Sequence, residues 1–272
     1  MVVFPNCKIN IGLRIVSKRP DDFHNLETIF YPVGLKDALE IIEAPVNSLP
    51  VTWSQSGIEI PGAATDNLCI KAYQLLITDF PHLPSVNIHL LKAIPLGAGL
   101  GGGSADAAFM LKAMNEKFSL QLSGQQLIQY ALQLGSDCPF FIINKPCFAT
   151  GRGELLEEIN LDLSKYKILL INPGIHINTG WAFSKIKPGT QENSLKTLAT
   201  LPINEWQENI HNDFEKPVME AHPEMTEIKQ EIISMGAVYA SMSGSGSTFY
   251  GIFHKNDTPA LNFPANYFQK WV

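Results

Sequence analysis

The sequence predicts an α+β fold, because stretches with the period of a strand and stretches with the period of a helix follow one another along it. Apolar and polar side chains alternate over residues 86–90, which is typical of a half-buried strand. Apolar side chains recur at helical spacing over residues 107–114, which is typical of an amphipathic helix. Between the two, five of the seven residues 97–103 are glycine, which indicates a specialised loop.

The other elements are predicted by the same signals. The helix after the glycines is expected to have Ser104 as its N-cap and Asp106 in its first turn. A second helix is predicted to begin near Ser123 and to end at Gly135, and a further helix is predicted to end at Gly236. Strands are predicted at residues 166–171, 238–241 and 248–253.

Composition narrows the class of protein. The formal net charge is −6, which argues against a nucleic-acid-binding surface, since such surfaces are normally basic. The longest apolar runs are far shorter than the roughly 20 residues of a membrane-spanning helix, and no signal peptide is apparent. The 4 cysteines lack the spacing of a zinc site and are expected to be buried thiols. We therefore expect a cytoplasmic protein with no nucleic-acid or membrane partner.

The glycine-rich segment, residues 95–105, is predicted to bind phosphate. Glycine lacks a Cβ, so backbone N–H groups can approach an anion closely, and the following helix adds the positive end of its dipole. The G-x-G-x-x-G spacing of Gly97, Gly99 and Gly102 alone is weak evidence for a dinucleotide site. Such a site needs an acidic residue about 20 positions later, and residues 117–121 contain none. The lysine of a P-loop and the H-R-D and D-F-G motifs of protein kinases are also missing.

Three segments, in order, resemble the motifs of the GHMP kinases, which phosphorylate small metabolites. Residues 5–13 are similar to the opening strand of that family, residues 95–104 to its P-x-G-x-G-L-G-G-G-S phosphate loop, and residues 241–249 to its third, glycine-rich motif. Together the three segments span nearly the whole chain. The resemblance is therefore specific.

Further segments are similar to the branch of this family whose acceptor is a cytidylyl alcohol of the non-mevalonate isoprenoid pathway. These segments are residues 19–28, 134–141 and 212–215. The chain departs from the pattern of that branch at Asp22, where glycine is usual, at Phe23, where tyrosine is usual, and at Cys7, where alanine is usual. Phe23 keeps an aromatic ring for stacking but loses the tyrosine hydroxyl.

The resemblance implies a two-domain GHMP kinase fold. The first domain, residues 1–155, would be the ATP-binding α+β domain with a ribosomal-S5-like topology, and the second, residues 156–272, a ferredoxin-like α+β domain. The resemblance also implies ATP as the co-substrate, used with Mg²⁺, and a small cytidylyl molecule as the acceptor. We expect a monomer or a weak homodimer, and we assign no protein residue as a metal ligand.

Two charged residues are the predicted catalytic pair. By the resemblance, Asp137 orients and deprotonates the acceptor hydroxyl, and Lys8 keeps that carboxylate ionised and stabilises charge on the transferring phosphoryl group. Each residue has a structural alternative. Asp137 precedes Pro139 and would serve as an ordinary N-cap, while Lys8 would face solvent from an edge strand.

The resemblance also assigns binding residues. The predicted ATP-binding residues are Pro95, Leu96, Gly97, Ala98, Gly99, Leu100, Gly101, Gly102, Gly103, Ser104, Ala105, Asn67 and Lys92. The predicted substrate-binding residues are Asn10, Phe23, His24, Thr179 and Phe183. Structural alternatives remain open for several of them: Ser104 would cap a helix, Asn10 would close a strand end, and Asn67 and Lys92 would be surface residues. His24 beside an aromatic would merely be packed.

The sequence thus predicts an ATP-dependent kinase that phosphorylates the 2-hydroxyl of a cytidylyl alcohol. The nearest alternative is another GHMP enzyme, such as a homoserine or mevalonate kinase or a related decarboxylase. A different class of alternative is a nucleotide sensor that keeps the phosphate loop without turnover. A requirement for cytidine in the acceptor would distinguish the predicted kinase from the first alternative. Release of ADP would distinguish it from the second.

Overall fold

The structure, a computed structural model, describes residues 1–45, 48–189 and 193–272. It confirms the α+β fold. The strands are β1 Val2–Val3, β2 Asn6–Lys18, β3 His24–Lys36, β4 Ala38–Glu43, β5 Val51–Gly57, β6 Val86–Lys92, β7 Cys147–Thr150, β8 Leu155–Glu158, β9 Tyr166–Asn172, β10 Tyr239–Met242, β11 Phe249–His254 and β12 Phe268–Trp271. The helices are α1 Leu68–Asp79, α2 Gly102–Lys117, α3 Gly124–Leu134, α4 Cys138–Ile143, α5 Thr179–Ser184, α6 Leu195–Leu198, α7 Trp206–Asn209, α8 Glu215–Ala221 and α9 Glu224–Ser234. Short 3₁₀ turns lie at Ala64–Asp66 and Ile203–Glu205.

The described chain forms two compact units, and each is interrupted in sequence. Unit 1 comprises Met1–Cys7, Gly34–Leu96 and Gly101–Lys145. Unit 2 comprises Lys8–Val33, Gly97–Leu100 and Pro146–Val272. The ends of the glycine-rich segment thus belong to unit 1 and its middle to unit 2. The predicted boundary between family domains near residue 155 stays a prediction.

Unit 1 contains a four-stranded sheet of order β1-β4-β6-β5, in which only β5 and β6 of the described pairs run parallel. The inward side chains of β4 and β6, such as Ile41 and Ile88, are buried against α1, α2 and α3. The predicted strand at residues 86–90 is β6. This core fixes the end of β6 and the start of α2, which are the two ends of the glycine-rich loop.

The helices of unit 1 confirm one prediction of a helix start and correct another. Ser123 caps α3 in a capping box with Gln126, and Gly135 follows its last residue, as predicted. Helix α2, however, begins at Gly102 with Gly101 as its N-cap in the left-handed conformation. The predicted N-cap at Ser104 is therefore wrong, and Asp106 lies beyond the first turn, buried.

Unit 2 contains an antiparallel sheet of order β10-β11-β9-β12, which confirms the three strands predicted in this part of the chain. Helix α9 packs its apolar stripe against that sheet, and Gly236 follows its end with a φ of +96°, as the predicted helix end required. Most of β2 and β3 also belongs to unit 2, in a sheet of order β2-β3-β7-β8. Across the described ranges, we find no helix that is long and apolar enough to cross a membrane.

Candidate active site

The middle of the glycine-rich loop is held by groups of unit 2. The carbonyl oxygen of Gly99 accepts hydrogen bonds from Lys8 Nζ, at 2.9 Å, and from Ser243 Oγ, at 2.8 Å. Gly99 has a φ of +76°, and a Cβ on it would lie 1.9 Å from the carbonyl oxygen of Ser243. Only glycine fits this position. Two backbone hydrogen bonds, from Lys8 N to Leu100 O and from Thr248 N to Ala98 O, fix the residues on either side.

The ammonium of Lys8 is buried, so the alternative of a solvent-facing lysine is wrong. Besides Gly99, the ammonium donates to Asn10 Oδ1 at 2.5 Å and lies 5.1 Å from the centre of the Phe30 ring. Hydrogen bonds to a charged group contribute about 1.5–3 kcal/mol each, which helps to offset the loss of hydration. The predicted residues Lys8, Asn10 and Gly99 are therefore brought together.

Asn10 is held through both its side chain and its backbone. Its Nδ2 donates to Thr28 Oγ1 at 2.9 Å, its backbone N–H donates to Ser243 Oγ, and the Tyr250 hydroxyl donates to its backbone carbonyl. These three partners were missed by the sequence reasoning, although Ser243 lies in the third glycine-rich motif. Burial raises the pKa of Tyr250 well above its usual value, so its hydroxyl remains a donor.

The C-terminal end of the loop runs into the first turn of α2. Gly101 is the N-cap, with a φ of +68°, and Gly102 to Ala105 form the first turn. The first N–H groups of a helix have no partner within the helix, and the helix dipole is positive at that end. The predicted residues of this stretch thus lie where an anion is favoured. Ser104 is part of the helix rather than its cap.

Lys92 is buried at the end of β6. Its ammonium is 1% exposed and donates to Asp37 Oδ2 at 2.5 Å and to Asp106 Oδ2 at 2.6 Å. Burial lowers the pKa of Lys92, but the two carboxylates outweigh this and hold the pKa above its usual value. The surface alternative is wrong for this lysine. Its engagement by the two carboxylates also argues against the predicted direct contact of its ammonium with ATP.

Asn67 combines a structural role with a place in a cavity. Its side chain accepts a hydrogen bond from Cys69 N at 2.8 Å and so caps α1. It also lines a cavity of about 390 Å³ in unit 1, together with Trp53 and Ile60. Ser54, Gln55 and Asp66 also line the cavity, so it offers both apolar and polar surface, as a site for a flat heterocycle requires.

Asp137 is half-buried and directly precedes the first residue of α4. It occupies the N-cap position with helical dihedral angles. Among the described residues, no backbone N–H of α4 donates a capping hydrogen bond to its side chain. An N-cap normally has extended dihedral angles and accepts such a bond. The capping alternative therefore does not account for this carboxylate.

Three predicted substrate residues lie on or near α5. His24 stacks on Phe183, with ring centres 4.8 Å apart and an angle of 17° between the ring planes. Phe183 also makes an edge-to-face contact with Phe214, with ring centres 4.9 Å apart. Thr179 is exposed, and its hydroxyl lies 3.1 Å from that of Ser245 in the third motif. The structure thus brings together His24 and Phe183, two residues that the resemblance assigns to the acceptor.

Phe23 is 51% exposed at the turn between β2 and β3. Its N–H donates to Asp21, its carbonyl accepts from Arg19 N, and the guanidinium of Arg152 lies 4.8 Å from the centre of its ring. An exposed aromatic ring with a cation on one face is available for stacking on the other. Arg152 was not predicted as a site residue, and no motif singled it out.

The comparisons with known proteins identify the family. The sequence profile of the GHMP kinases N terminal domain matches residues 67–145, and that of the GHMP kinases C terminal domain matches residues 194–263. The chain belongs to the GHMP kinases. The predicted family and the predicted fold are confirmed, and so is the prediction of a phosphotransferase.

Relatives and solved structures add detail to this membership. A protein of Bacteroides thetaiotaomicron named 4-diphosphocytidyl-2-C-methyl-D-erythritol kinase is 52% identical, over 98% of this chain and 98% of its own. A crystal structure of 4-(cytidine 5'-diphospho)-2C-methyl-D-erythritol kinase matches 93% of this chain and 90% of its own, with a TM-score of 0.77 and 29% identity. A homoserine kinase from Cytophaga hutchinsonii matches 92% of this chain and 85% of its own, with a TM-score of 0.65. At 12% identity, that likeness shows the fold alone.

Proposed function

We propose that this GHMP kinase transfers the γ-phosphoryl group of ATP to the 2-hydroxyl of 4-diphosphocytidyl-2-C-methyl-D-erythritol. The products are the 2-phosphate and ADP, formed by direct in-line transfer. The observation that carries the proposal is the relative of that name, which is 52% identical over 98% of both chains. This acceptor belongs to the non-mevalonate isoprenoid pathway.

We assign the ATP phosphates to residues 95–105. The proposal is supported by the left-handed glycines of the loop and by the start of α2. The first N–H groups of a helix have no partner within it, and its dipole favours anions at that end. We assign the adenine ring to the cavity of about 390 Å³ lined by Asn67, Trp53 and Ile60. In that position, Nδ2 of Asn67 remains a donor for a ring nitrogen, because only its Oδ1 caps α1.

Mg²⁺ is proposed as a partner of ATP rather than as a resident ion. In the described parts of the chain, no three His, Cys, Asp or Glu side chains are grouped so that they could hold a metal. Kinases typically bind Mg²⁺ through the nucleotide phosphates and one or two carboxylates, so a resident metal site is not needed. The ion would neutralise charge on the phosphates, and this chain's residues would orient the nucleotide.

Asp137 and Lys8 are the proposed catalytic residues. Asp137 would accept the proton of the attacking hydroxyl, a role for which its half-buried carboxylate is suited. Lys8 would stabilise negative charge on the transferring group. This proposal is supported by its buried ammonium, which is fixed in place by Asn10 and Gly99. A preorganised cation needs no reorganisation at the moment of reaction.

The cytosine ring is assigned to the aromatic residues near α5. Phe23 and Phe183 would stack against the base, and His24 would donate or accept a hydrogen bond at its edge. The exposure of Phe23 and the ring contact between His24 and Phe183 support this assignment. Thr179, exposed at the start of α5, would bind the diphosphate. Asn10 would orient the acceptor from its own buried network.

A coupled ADP assay across cytidylyl and non-cytidylyl alcohols tests the proposal. ADP release with 4-diphosphocytidyl-2-C-methyl-D-erythritol, and little with 2-C-methyl-D-erythritol, homoserine or mevalonate, is the expected result. Preferred turnover of homoserine or mevalonate would assign a different acceptor. ATP binding without ADP release on any alcohol would indicate a nucleotide sensor. The cytoplasmic location and the oligomeric state stay predictions.

A further inference from the structure

A buried cluster of three charged residues lies beneath the two ends of the glycine-rich loop, within unit 1. Asp37 follows β3, Lys92 is the last residue of β6, and Asp106 lies in the second turn of α2. The side chain of each is at most 5% exposed. The cluster carries two carboxylates and one ammonium.

Asp37 holds the end of the loop that leaves β6. Its Oδ1 accepts hydrogen bonds from the backbone N–H groups of Ala93, at 2.6 Å, and Ile94, at 2.9 Å. Its Oδ2 accepts from Lys92 Nζ at 2.5 Å. Both oxygens of Asp37 are therefore used, and Ile94 is the last residue before Pro95, where the loop begins.

Lys92 and Asp106 hold the other end of the loop. The ammonium donates to Asp106 Oδ2 at 2.6 Å and thereby joins β6 to α2. A Cβ on Gly102, the first residue of α2, would lie 3.0 Å from Lys92 Nζ and 2.8 Å from Ile94 Cγ2. The start of the helix thus packs directly on the cluster, with no room for a side chain.

We propose that Asp37, Lys92 and Asp106 are positioning residues that set the spacing between the two ends of the loop for ATP phosphates. The inference rests on the proposed function, since it takes residues 95–105 as the phosphate site. Stability alone explains the cluster poorly, because the desolvation of buried ions offsets most of their mutual attraction. Consistent with this, Asp106 Oδ1 has no hydrogen-bond partner among the described residues, and burial raises the pKa of Asp106 to about 7.

The test uses a difference in hydrogen bonding between the two carboxylates: both oxygens of Asp37 accept hydrogen bonds, whereas only one oxygen of Asp106 does so among the described residues. Asp37→Asn puts an NH₂ group in place of one of the two Asp37 oxygens, so one end of the loop loses a hydrogen-bond acceptor. Asp106→Asn can turn its NH₂ toward the side where Oδ1 has no partner and keep its oxygen on Lys92. Asp106→Ala removes the tie between β6 and α2 but leaves Lys92 paired with Asp37.

ATP affinity is measured by calorimetry on the intact chain, so no acceptor is needed, and a thermal melt identifies folded variants. We expect Asp37→Asn and Asp106→Ala to raise the Kd for ATP roughly tenfold or more, the scale of one charge-assisted hydrogen bond. Asp106→Asn should restore most of the affinity. In each variant, the KM for the cytidylyl alcohol should stay within about twofold of the wild-type value. Asp162→Asn, on the surface, is the matched control.

Folded Asp106→Ala protein with wild-type ATP affinity would overturn the inference, even if Asp37→Asn failed to fold. So would equal losses for Asp106→Ala and Asp106→Asn, since the oxygen on Lys92 would then be irrelevant. A wild-type chain that did not bind ATP would contradict the proposed function itself. The two failures are therefore distinguishable.

Discussion

Asp137 shows how a single carboxylate can be tested for chemistry rather than capping. It precedes α4 without accepting a capping hydrogen bond from that helix within the described chain. We therefore expect Asp137→Asn to lower kcat by roughly 10²–10⁴-fold, the usual contribution of a general base. ATP affinity should hardly change, since the phosphates are assigned to the glycine-rich loop. Steady-state kinetics and ATP calorimetry measure the two quantities.

Retention of near-wild-type kcat by Asp137→Asn would contradict the catalytic role. Asparagine caps a helix about as well as aspartate does, so the second check is a thermal melt of Asp137→Ala. Loss of an N-cap typically costs about 1 kcal/mol, and a melting temperature close to that of wild type would exclude the capping alternative.

Phe23 is the residue at which acceptor recognition can be measured. Stacking of a base on an aromatic ring contributes roughly 1–3 kcal/mol, or about tenfold to over a hundredfold in affinity. Phe23→Ala should therefore raise the KM for the cytidylyl substrate by that order, and Phe23→Tyr should be nearly neutral. Phe4 is 57% exposed in unit 1 and provides a matched control in Phe4→Ala. A silent Phe23→Ala would place the base elsewhere.

His24 tests discrimination rather than affinity. Stacking alone cannot distinguish cytosine from uracil, because both present a similar ring face. His24 stacks on Phe183 and is half-buried, so its ring nitrogens are the groups of this pair that can read the edge of a base. His24→Ala should reduce the ratio of kcat/KM between cytidylyl and uridylyl analogues. An unchanged ratio would mean that another group reads the base.

At the scale of elements, the glycine-rich loop depends on a close approach between two backbones. A methyl group on Gly99 would lie 1.9 Å from the carbonyl oxygen of Ser243, at a φ that other residues rarely adopt. We expect Gly99→Ala to weaken ATP binding by tenfold or more, because the loop must move away from Ser243 and Lys8. Gly124→Ala is the control, since a Cβ there would have no other described element of the chain within 4 Å.

Calorimetry with ATP and a thermal melt distinguish the outcomes for Gly99→Ala. A folded protein with wild-type ATP affinity would show that the middle of the loop does not contact the phosphates. A destabilised protein with weakened binding, next to an unaffected Gly124→Ala protein, would agree with the proposed site.

At the scale of the whole molecule, the buried cluster gives stability a dependence on pH. Burial, and then Asp37, raise the pKa of Asp106 to about 7 from its usual 3.8, although Lys92 opposes this shift. The folded state thus holds the proton more tightly than the unfolded state. The contribution of Asp106 is complete below its unfolded pKa and is lost as pH rises toward 7.

The expected result is a melting temperature whose decline between pH 5 and pH 8 is shallower in Asp106→Asn than in wild type. The difference between the two proteins isolates Asp106 from the histidines, which titrate in both. Lys92, Asp37 and the buried thiol of Cys69 are the titratable groups that act on it. Parallel curves for the two proteins would show that Asp106 has no such pKa.

The sequence by itself determined the features that depend on near neighbours. The helix start at Ser123, the strands β6, β9, β10 and β11, and the three family motifs are each contiguous in sequence, and the sequence predicts them. The predicted start of α2 at Ser104 is wrong, because Gly101 adopts a left-handed conformation and begins the helix before the serine is reached.

Only the tertiary structure decided which distant groups meet. Ser243 binds the carbonyl of Gly99 across 144 positions in sequence, and Lys92 meets Asp37 across 55. The residues next to Lys92 in sequence are compatible with either a surface lysine or a ligand-binding lysine. Its actual partners, Asp37 and Asp106, lie on other parts of the chain. A buried charge is stable only beside its partners, and which partners it has is set by packing rather than by local propensity.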